Sequence, residues 1–488
     1  MTKAGPPHSP APTPADMNQQ AWAAAAQWGL DGSMSELETL MWRSERHPEL
    51  SSTITALMLL DTAPEWDRLW AAHEWAAGLV RRTRERVQEP FLPVGPPVWV
   101  EDSSFKLENH LRRARLDPGD GPAGDIPKLL AYTERFALAP LNRKRPLWEA
   151  VLVEGLADGA AAYLLKLHHS VTDGLGGVQL LSLVQSRTRD HTPDKPSSRA
   201  GASAPGINPA VLVSRQLASR LGQAPDMLWR SVKFGGTVLS DPMQAGDEAV
   251  RFTASLRRMM PPPPAPPSPL FTRRKGRNWR FGVLECEFKR LRAAAKAASG
   301  SVNDAYIAAL LGGLRRYHER HGSPIETLPM AMPVSLRRGD DPMGGNKFAG
   351  ALLAGPVGVS DPVERIAVIR GTVLTLRAEP ALDSFGLFAP LVNLLPSGVG
   401  AAAWRLGAAA DMSASNVPGL PFKSFLAGAE VQRIFAFGPL PGVAIMVAMT
   451  THAGACCIGF NIDGDAVEDV SVLMDCFAEG LDEVLAIG

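Results

Sequence analysis

Two adjacent histidines, His168 and His169, stand just ahead of Asp173 and Gly174 in the segment LKLHHSVTDGLGGVQLL, Leu165 to Leu181. Imidazole exchanges its proton near neutral pH, which suits a histidine to general-base chemistry when a substrate can reach it. The apolar run 160–167 reads as a buried strand and the run 177–184 as the start of a packed helix. The histidines therefore sit where a strand ends and a turn begins. If the strand persists that far, alternation of side chains turns the two rings to opposite faces, so only one of them can meet a substrate. A carboxylate at Asp173 and a chain reversal at Gly174 would then fix the turn that aims the ring. A single histidine beside a buried strand is usually a satisfied core residue. The full string HHxxxDG in this setting is far more specific.

The elements that must position this segment alternate in type. Residues 54–60 and 150–153 read as strands, and residues 65–86 and 126–136 as helices, which predicts a mixed α/β or α+β protein. From about Arg187 to Pro269 the character changes: RTRDHTPDKPSSRAGASAPG is polar and loop-like, a moderately helical stretch follows, and MMPPPPAPPSP must be extended because consecutive prolines exclude helix. This divides the chain into a disordered tail (1–20), an N-terminal lobe with the histidines (21–186), a crossover (187–269) and a C-terminal lobe (270–488). The proline run could instead be a ligand for a recognition module; a spacer needs fewer assumptions.

Composition excludes several classes. The chain has 488 residues, and its 50 Lys and Arg balance 50 Asp and Glu, so no electrostatic case exists for nucleic acid as a partner. Four cysteines are too few and too irregularly spaced for a disulfide framework, which points to a reducing, cytoplasmic compartment. The Pro- and Ala-rich first 20 residues lack the apolar core of a signal peptide. No uninterrupted apolar run of about 18 residues is present, so no spanning helix is expected. The nearest candidate, residues 385–410, is broken by Pro390, Pro396 and Arg405, and either packs inside the protein or touches lipid as an amphipathic pair.

Other patterns are set aside. GDGPAG, Gly119 to Gly124, satisfies G-x-G-x-x-G but contains Pro122 and lacks a preceding buried strand, so it reads as a turn. His318 and His321, one turn apart in HERH, read as a solvated helix end rather than a metal site. Arg81, Arg82, Arg84 and Arg86, interleaved with Glu85, read as a solvated helix face, with contact to coenzyme A phosphates or an anionic membrane surface as the alternative.

The HHxxxDG string resembles the signature of the coenzyme A-dependent acyltransferase superfamily, which includes chloramphenicol acetyltransferase, peptide-synthetase condensation domains and the wax ester synthase/diacylglycerol acyltransferase family. Further blocks are similar to the last of these. They are PPVWVEDSSFKLENHL (Pro96 to Leu111), APLNRKRPLWEAVLVEGL (Ala139 to Leu156), GSVNDAYIAALLGGLRRY (Gly300 to Tyr317), MPVSLRR with GGNKFAG (Met332 to Gly350) and SNVPG (Ser415 to Gly419). In this order they extend the resemblance from about Leu30 to about Val470. Two departures stand out. The family's Ser-x-x-Asp-Ala block is here SELETLMW, Ser35 to Trp42, and its Ser-Tyr-x-Gly pattern is here Thr451-His452-Ala453-Gly454.

The resemblance implies an α/β (mixed α+β) fold of two chloramphenicol-acetyltransferase-like lobes with a substrate tunnel between them. It implies acyl transfer from acyl-CoA, a co-substrate, with no cofactor and no metal, to a lipid alcohol: diacylglycerol to triacylglycerol, or a fatty alcohol to wax ester. His169 is the implied general base. His168 either shapes the pocket or is structural, and Asp173 with Gly174 holds the turn, Asp173 through an ion pair for which Arg337 is a candidate. Asn303 with Asp304, and Thr450 or Thr451, are candidate substrate-binding polar groups and oxyanion donors, although Asn303 could equally cap its helix. Pro146, Leu147 and Trp148 serve as tunnel wall or as packing. Peripheral contact with the inner face of a membrane or with lipid inclusions follows from the lipid substrates. An acyltransferase acting on a specialised metabolite alcohol, favoured by the altered Ser-Tyr region, and a non-catalytic acyl-chain-binding protein are the alternatives. The abundance of Ala, Gly and Pro, and of Arg over Lys, is that of a GC-rich bacterial genome.

Overall fold

A computed structural model describes residues 22–28, 32–91, 95–117, 122–190, 211–214, 264–335, 344–346, 348–378 and 410–488. The expected tail, most of the crossover and nearly all of the segment 385–410 lie outside these residues. The strands are β1 (Thr53–Leu60), β2 (Glu85–Gln88), β3 (Val98–Glu101), β4 (Leu111–Arg115), β5 (Trp148–Glu154), β6 (Ala161–His168), β7 (Gln185–Ser186), β8 (Trp279–Glu287), β9 (Thr327–Ser335), β10 (Phe348–Pro356), β11 (Met412–Val417), β12 (Phe425–Leu426), β13 (Ala429–Phe437), β14 (Ile445–His452) and β15 (Ala455–Asp463). The helices are α1 (Glu36–Ser44), α2 (Trp66–Leu79), α3 (Pro122–Leu138), α4 (Gly174–Val184), α5 (Phe288–Ala297), α6 (Val302–Arg320), α7 (Pro362–Ala378) and α8 (Val470–Leu485).

Two mixed sheets organise the fold, in the orders β4-β5-β6-β1-β13-β12-β7 and β10-β9-β11-β14-β15-β8. β6 lies inside the first sheet between β1 and β5, antiparallel to both. Every residue of β6 is buried, because each face is covered. Tyr163, Leu165 and Leu167 join one core cluster, while Ala162 and Leu164 join another that contains Leu129 and Phe136 of α3. A strand covered on both sides carries an apolar run without alternation, which is why the sequence showed one. The exception is Lys166, wholly buried on the α3 face. Its ammonium donates to the carbonyls of Phe136 (3.0 Å) and Ala139 (2.9 Å) and lies 3.3 Å from Glu149 Oε2, so it closes the C-terminal end of α3.

The sheets do not follow the sequence partition at residues 187–269. β12 and β13, from the last quarter of the chain, complete the first sheet, with β13 antiparallel to β1. β1 would otherwise present an open edge, and the inserted strand both pairs it and ties the two sheets together. Side chains from β14 and β15 bond the β13 region along the seam. The Thr450 hydroxyl donates to the Ile434 carbonyl, His452 Nε2 bonds the Val431 carbonyl at 2.9 Å and Asn461 Nδ2 the Gly438 carbonyl at 2.8 Å. Gly459 is required there, since a Cβ would lie 2.3 Å from the Ala436 carbonyl oxygen.

Local readings need correction where packing overrides pattern. The helix expected over 65–86 ends at Leu79 and passes into a short 3₁₀ turn, Arg81–Arg84, and then β2. The arginines there are no solvated face: Arg82 is buried, 3.1 Å from the buried Glu85, with its guanidinium 4.1 Å from the Trp99 ring centroid. His318 is also buried rather than solvated. Its Nδ1 bonds the Leu314 carbonyl and its Nε2 the Ser268 hydroxyl (2.7 Å), which anchors the end of the proline-rich run on α6. Pro122 to Gly124 open α3 and are not a turn, in keeping with proline's preference for the first helical turn.

Candidate functional site

β6 ends at His168, and the chain turns through Ser170 to Thr172 into α4. Asp173 is the N-cap of α4, its carboxylate accepting the Gly176 N–H at 2.9 Å. Two glycines make the turn possible. A Cβ on Gly176 would come within 1.8 Å of Thr172 Oγ1, and one on Gly174 within 2.8 Å of Val417 at the end of β11. The Asp-Gly pair thus starts a helix that abuts a strand of the other sheet. Arg337, the expected ionic partner of Asp173, lies outside the described residues.

The two imidazoles turn to different partners. His168 is fully buried. Its Nδ1 accepts the Ser170 N–H at 3.0 Å and lies 2.7 Å from the Ser170 hydroxyl, and its Nε2 faces Glu45 Oε2 at 3.1 Å. Burial alone would raise the Glu45 carboxyl. The opposing charge and hydrogen bond of His168, the Ser52 N–H and the Arg143 guanidinium outweigh it and hold the group at about 2. Nδ1 therefore acts as an acceptor, and Nε2 lies against a carboxylate. Trp42 packs edge-on to this ring (5.7 Å between centroids), under Arg143 stacked at 3.4 Å. Buried against Ser170, Glu45 and Trp42, His168 presents no exposed surface to a substrate.

His169 remains partly exposed. Its N–H donates to the Ser52 carbonyl (2.7 Å), and its Nδ1 lies 2.8 Å from Oδ1 of Asn346, which sits between β9 and β10. The Asn346 amide is oriented by two acceptors: Nδ2 donates to the His169 carbonyl (2.7 Å) and to Glu38 Oε1 (3.2 Å). Its oxygen must then face the imidazole, so Nδ1 carries the proton and Nε2 the lone pair. Burial lowers the His169 pKa, and the Asn346 bond, a hydrogen bond to the residue's own backbone and the Asp173 charge oppose this without cancelling it. A lowered pKa favours the neutral ring, which keeps a lone pair of the kind a general base needs.

The other expected residues fall into place less evenly. Asn303 is in the first turn of α6, its amide 3.6 Å from Met332 Sδ. It is not the helix cap. That role belongs to Ser301, in a capping box with Asp304, whose carboxylate accepts the Ser301 N–H at 2.7 Å. Asp304 is 3 % exposed and also lies 3.6 Å from Arg370, so its carboxylate is committed to the fold rather than to substrate. Thr450 has likewise spent its single hydroxyl proton at the seam, which removes it as an oxyanion donor. Thr451 accepts the Gly419 N–H at 3.1 Å and so fastens the SNVPG loop. Both threonines border a small cavity of about 10 Å³ with Val178 and Leu181 of α4. Pro146, Leu147 and Trp148 are buried. Trp148 donates Nε1–H to the Thr83 carbonyl (2.8 Å), stacks on His110 and lines, with His73 and Tyr163, a second cavity of about 30 Å³. His73 Nε2 is 2.6 Å from the Tyr163 hydroxyl, and burial pushes its pKa down to about 4.

Sequence reasoning missed Glu38, Glu45 and Asn346. Two lay inside quoted blocks: Asn346 is the asparagine of GGNKFAG, and Glu38 stands where Ser-x-x-Asp-Ala has its aspartate, so that apparent departure keeps a carboxylate. Among the described residues no cluster of His, Cys, Asp or Glu could hold a metal ion, and no helix is long and apolar enough to cross a membrane.

Comparison with known proteins fits this geometry. Residues 34–306 match the model of the wax ester synthase/diacylglycerol acyltransferase catalytic domain, and residues 344–484 that of the WS/DGAT C-terminal domain. A Mycobacterium tuberculosis protein provisionally named a diacylglycerol O-acyltransferase is 39% identical over 466 residues, covering 94% of this chain and 92% of its own. Among solved structures, the wax ester synthase/diacylglycerol acyltransferase from Marinobacter aquaeolei VT8 superposes with a TM-score of 0.59 at 20% identity, covering 89% of this chain and 94% of its own. The first condensation domain of the calcium-dependent antibiotic synthetase gives 0.58 at 17% identity, covering 93% and 96%; both likenesses concern the fold. The two matched domains and the 39% identical relative together account for most of the sequence, and the chain belongs to the wax ester synthase/diacylglycerol acyltransferase family of acyltransferases.

Proposed function

We propose that this acyltransferase carries the acyl group of acyl-CoA to the hydroxyl of a lipid alcohol, diacylglycerol or a long-chain alcohol, with His169 as general base. The observation that carries the assignment is the bond between His169 Nδ1 and Asn346 Oδ1, which leaves Nε2 as the acceptor. An aliphatic alcohol is a poor nucleophile at neutral pH, so its proton must leave as its oxygen attacks the thioester carbonyl. Nε2 takes that proton. The tetrahedral intermediate then collapses, the C–S bond breaks, and the imidazolium returns the proton to the departing thiolate. Holding donor and alcohol together makes the transfer effectively unimolecular, and no covalent acyl-enzyme is needed.

Thr451 and Asn303 are the candidate donors to the oxyanion, and a tunnel between the lobes is the proposed route for both substrates. The lipid nature of the substrates supports peripheral contact with a membrane or lipid inclusion. Purified protein given palmitoyl-CoA should release coenzyme A only when dioleoylglycerol or hexadecanol is added, and a fraction of it should float with anionic liposomes. Release with neither lipid but with a small metabolite alcohol would move the reading to specialised metabolism. Protein that stays wholly unbound would remove the membrane contact.

A further inference from the structure

The base and the group that orients it come from distant parts of the chain. His169 is at the end of β6, whereas Asn346 is 177 residues later, in the connection between β9 and β10 of the other sheet. That connection is fastened to the N-terminal lobe at several points. The Asp173 N–H donates to the Gly345 carbonyl at 3.2 Å, and Thr172 and Gly345 form a parallel bridge. Gly344 and Gly345 adopt φ of 77° and 67°, and a Cβ on Gly344 would lie 2.0 Å from the Trp28 ring. Glu38 completes the arrangement from α1. One carboxylate oxygen accepts the Ser35 N–H (2.9 Å) as part of the α1 capping box, and the other accepts from Asn346 Nδ2 (3.2 Å).

We infer that Asn346, held by Glu38, is a positioning residue that fixes the Nδ1–H tautomer of His169, so that the base is made competent by contact between the two lobes. An amide is ambivalent: turned over, it would offer N–H to Nδ1, favour the opposite tautomer and leave a proton where the lone pair is needed. The His169 carbonyl and Glu38 are both acceptors, and together they exclude that orientation. Glu38 thus acts through two hydrogen bonds on a ring it does not touch. Neither Glu38 nor Asn346 exchanges a proton with substrate.

The inference rests on His169 as the base, and its test separates the two. In protein labelled with ¹⁵N-histidine, the His169 resonances, identified by their loss in His169→Ala, should report protonated Nδ1 and unprotonated Nε2. Asn346→Ala should shift them toward the other tautomer and lower kcat by about 10- to 100-fold with KM for acyl-CoA little changed. That is less than the roughly 10⁴-fold lost when a triad's orienting carboxylate is replaced. Glu38→Ala should do the same to a smaller degree, and Glu38→Gln should recover part of the loss, because glutamine keeps an acceptor for Asn346 and suits the capping box. Unchanged ¹⁵N signals in folded Asn346→Ala would overturn the inference. A changed tautomer with unchanged kcat would uphold the clamp and overturn His169 as the base. Should Asn346→Ala not fold, the contrast between the two Glu38 variants carries the same reading.

Discussion

His169→Ala is expected to lower acyl transfer by about 10²- to 10⁴-fold, the usual contribution of a positioned general base. The fold should survive, because the His169 N–H, a backbone group that alanine keeps, still bonds the Ser52 carbonyl. Loss should appear in kcat, since alanine removes a group needed as the proton moves and not one that grips coenzyme A. As the proposed base, His169 of the wild type works only when neutral. Burial holds its pKa below the ordinary value, so kcat/KM should stay level through neutral pH and fall only as pH drops through a midpoint below about 6.5. Coenzyme A release from palmitoyl-CoA, followed from pH 4.5 to 8 with the fold monitored by circular dichroism, measures both. Activity of the variant within a few-fold of wild type, or an acid limb centred above 7, would refute the assignment.

The largest stability effect should come from Glu483→Ala. Glu483, on α8, receives Arg365 of α7 through both terminal guanidinium nitrogens (2.9 and 3.1 Å) and Arg316 of α6 at 2.9 Å. Arg365 has no exposed surface. Burial lowers its pKa, and the nearby Glu483 charge opposes that effect. Alanine would leave a buried cation without its carboxylate, and breaking a buried pair from one side costs about 3–5 kcal/mol. For a lobe of this size each kcal/mol moves the midpoint by about 2–4 °C, so Tm should fall by about 10 °C. Glu483→Gln, which keeps an acceptor, should fall less. Thermal denaturation followed by calorimetry decides it, and a drop under 2 °C would show that solvent or neighbouring carbonyls already satisfy the arginine.

Several elements were legible because their cause is local. β6 showed as an apolar run because both its faces are covered, and α4 showed through the apolar run at residues 177–184. The turn between them followed from these two. The arginine cluster and His318 were misread for the opposite reason. Such side chains are buried when a partner reaches them from elsewhere, as Trp99 does for Arg82 and Ser268 for His318, and no short window of sequence contains that partner.

The same distinction divides the site. The sequence by itself determined the reactive group and its setting: a histidine at the end of a buried strand, followed by a capped helix, in blocks whose order identifies the family. Only the tertiary structure decided which imidazole is buried and which nitrogen holds the proton. Those depend on Glu45, 123 residues from His168, and on Asn346 and Glu38, 177 and 131 residues from His169. It also decided that β13 crosses into the first sheet. The physical reason is range. Helix caps and strand runs are set by neighbours within a few residues, whereas tautomer, burial and strand pairing are set by whichever groups the folded chain brings within about 3 Å.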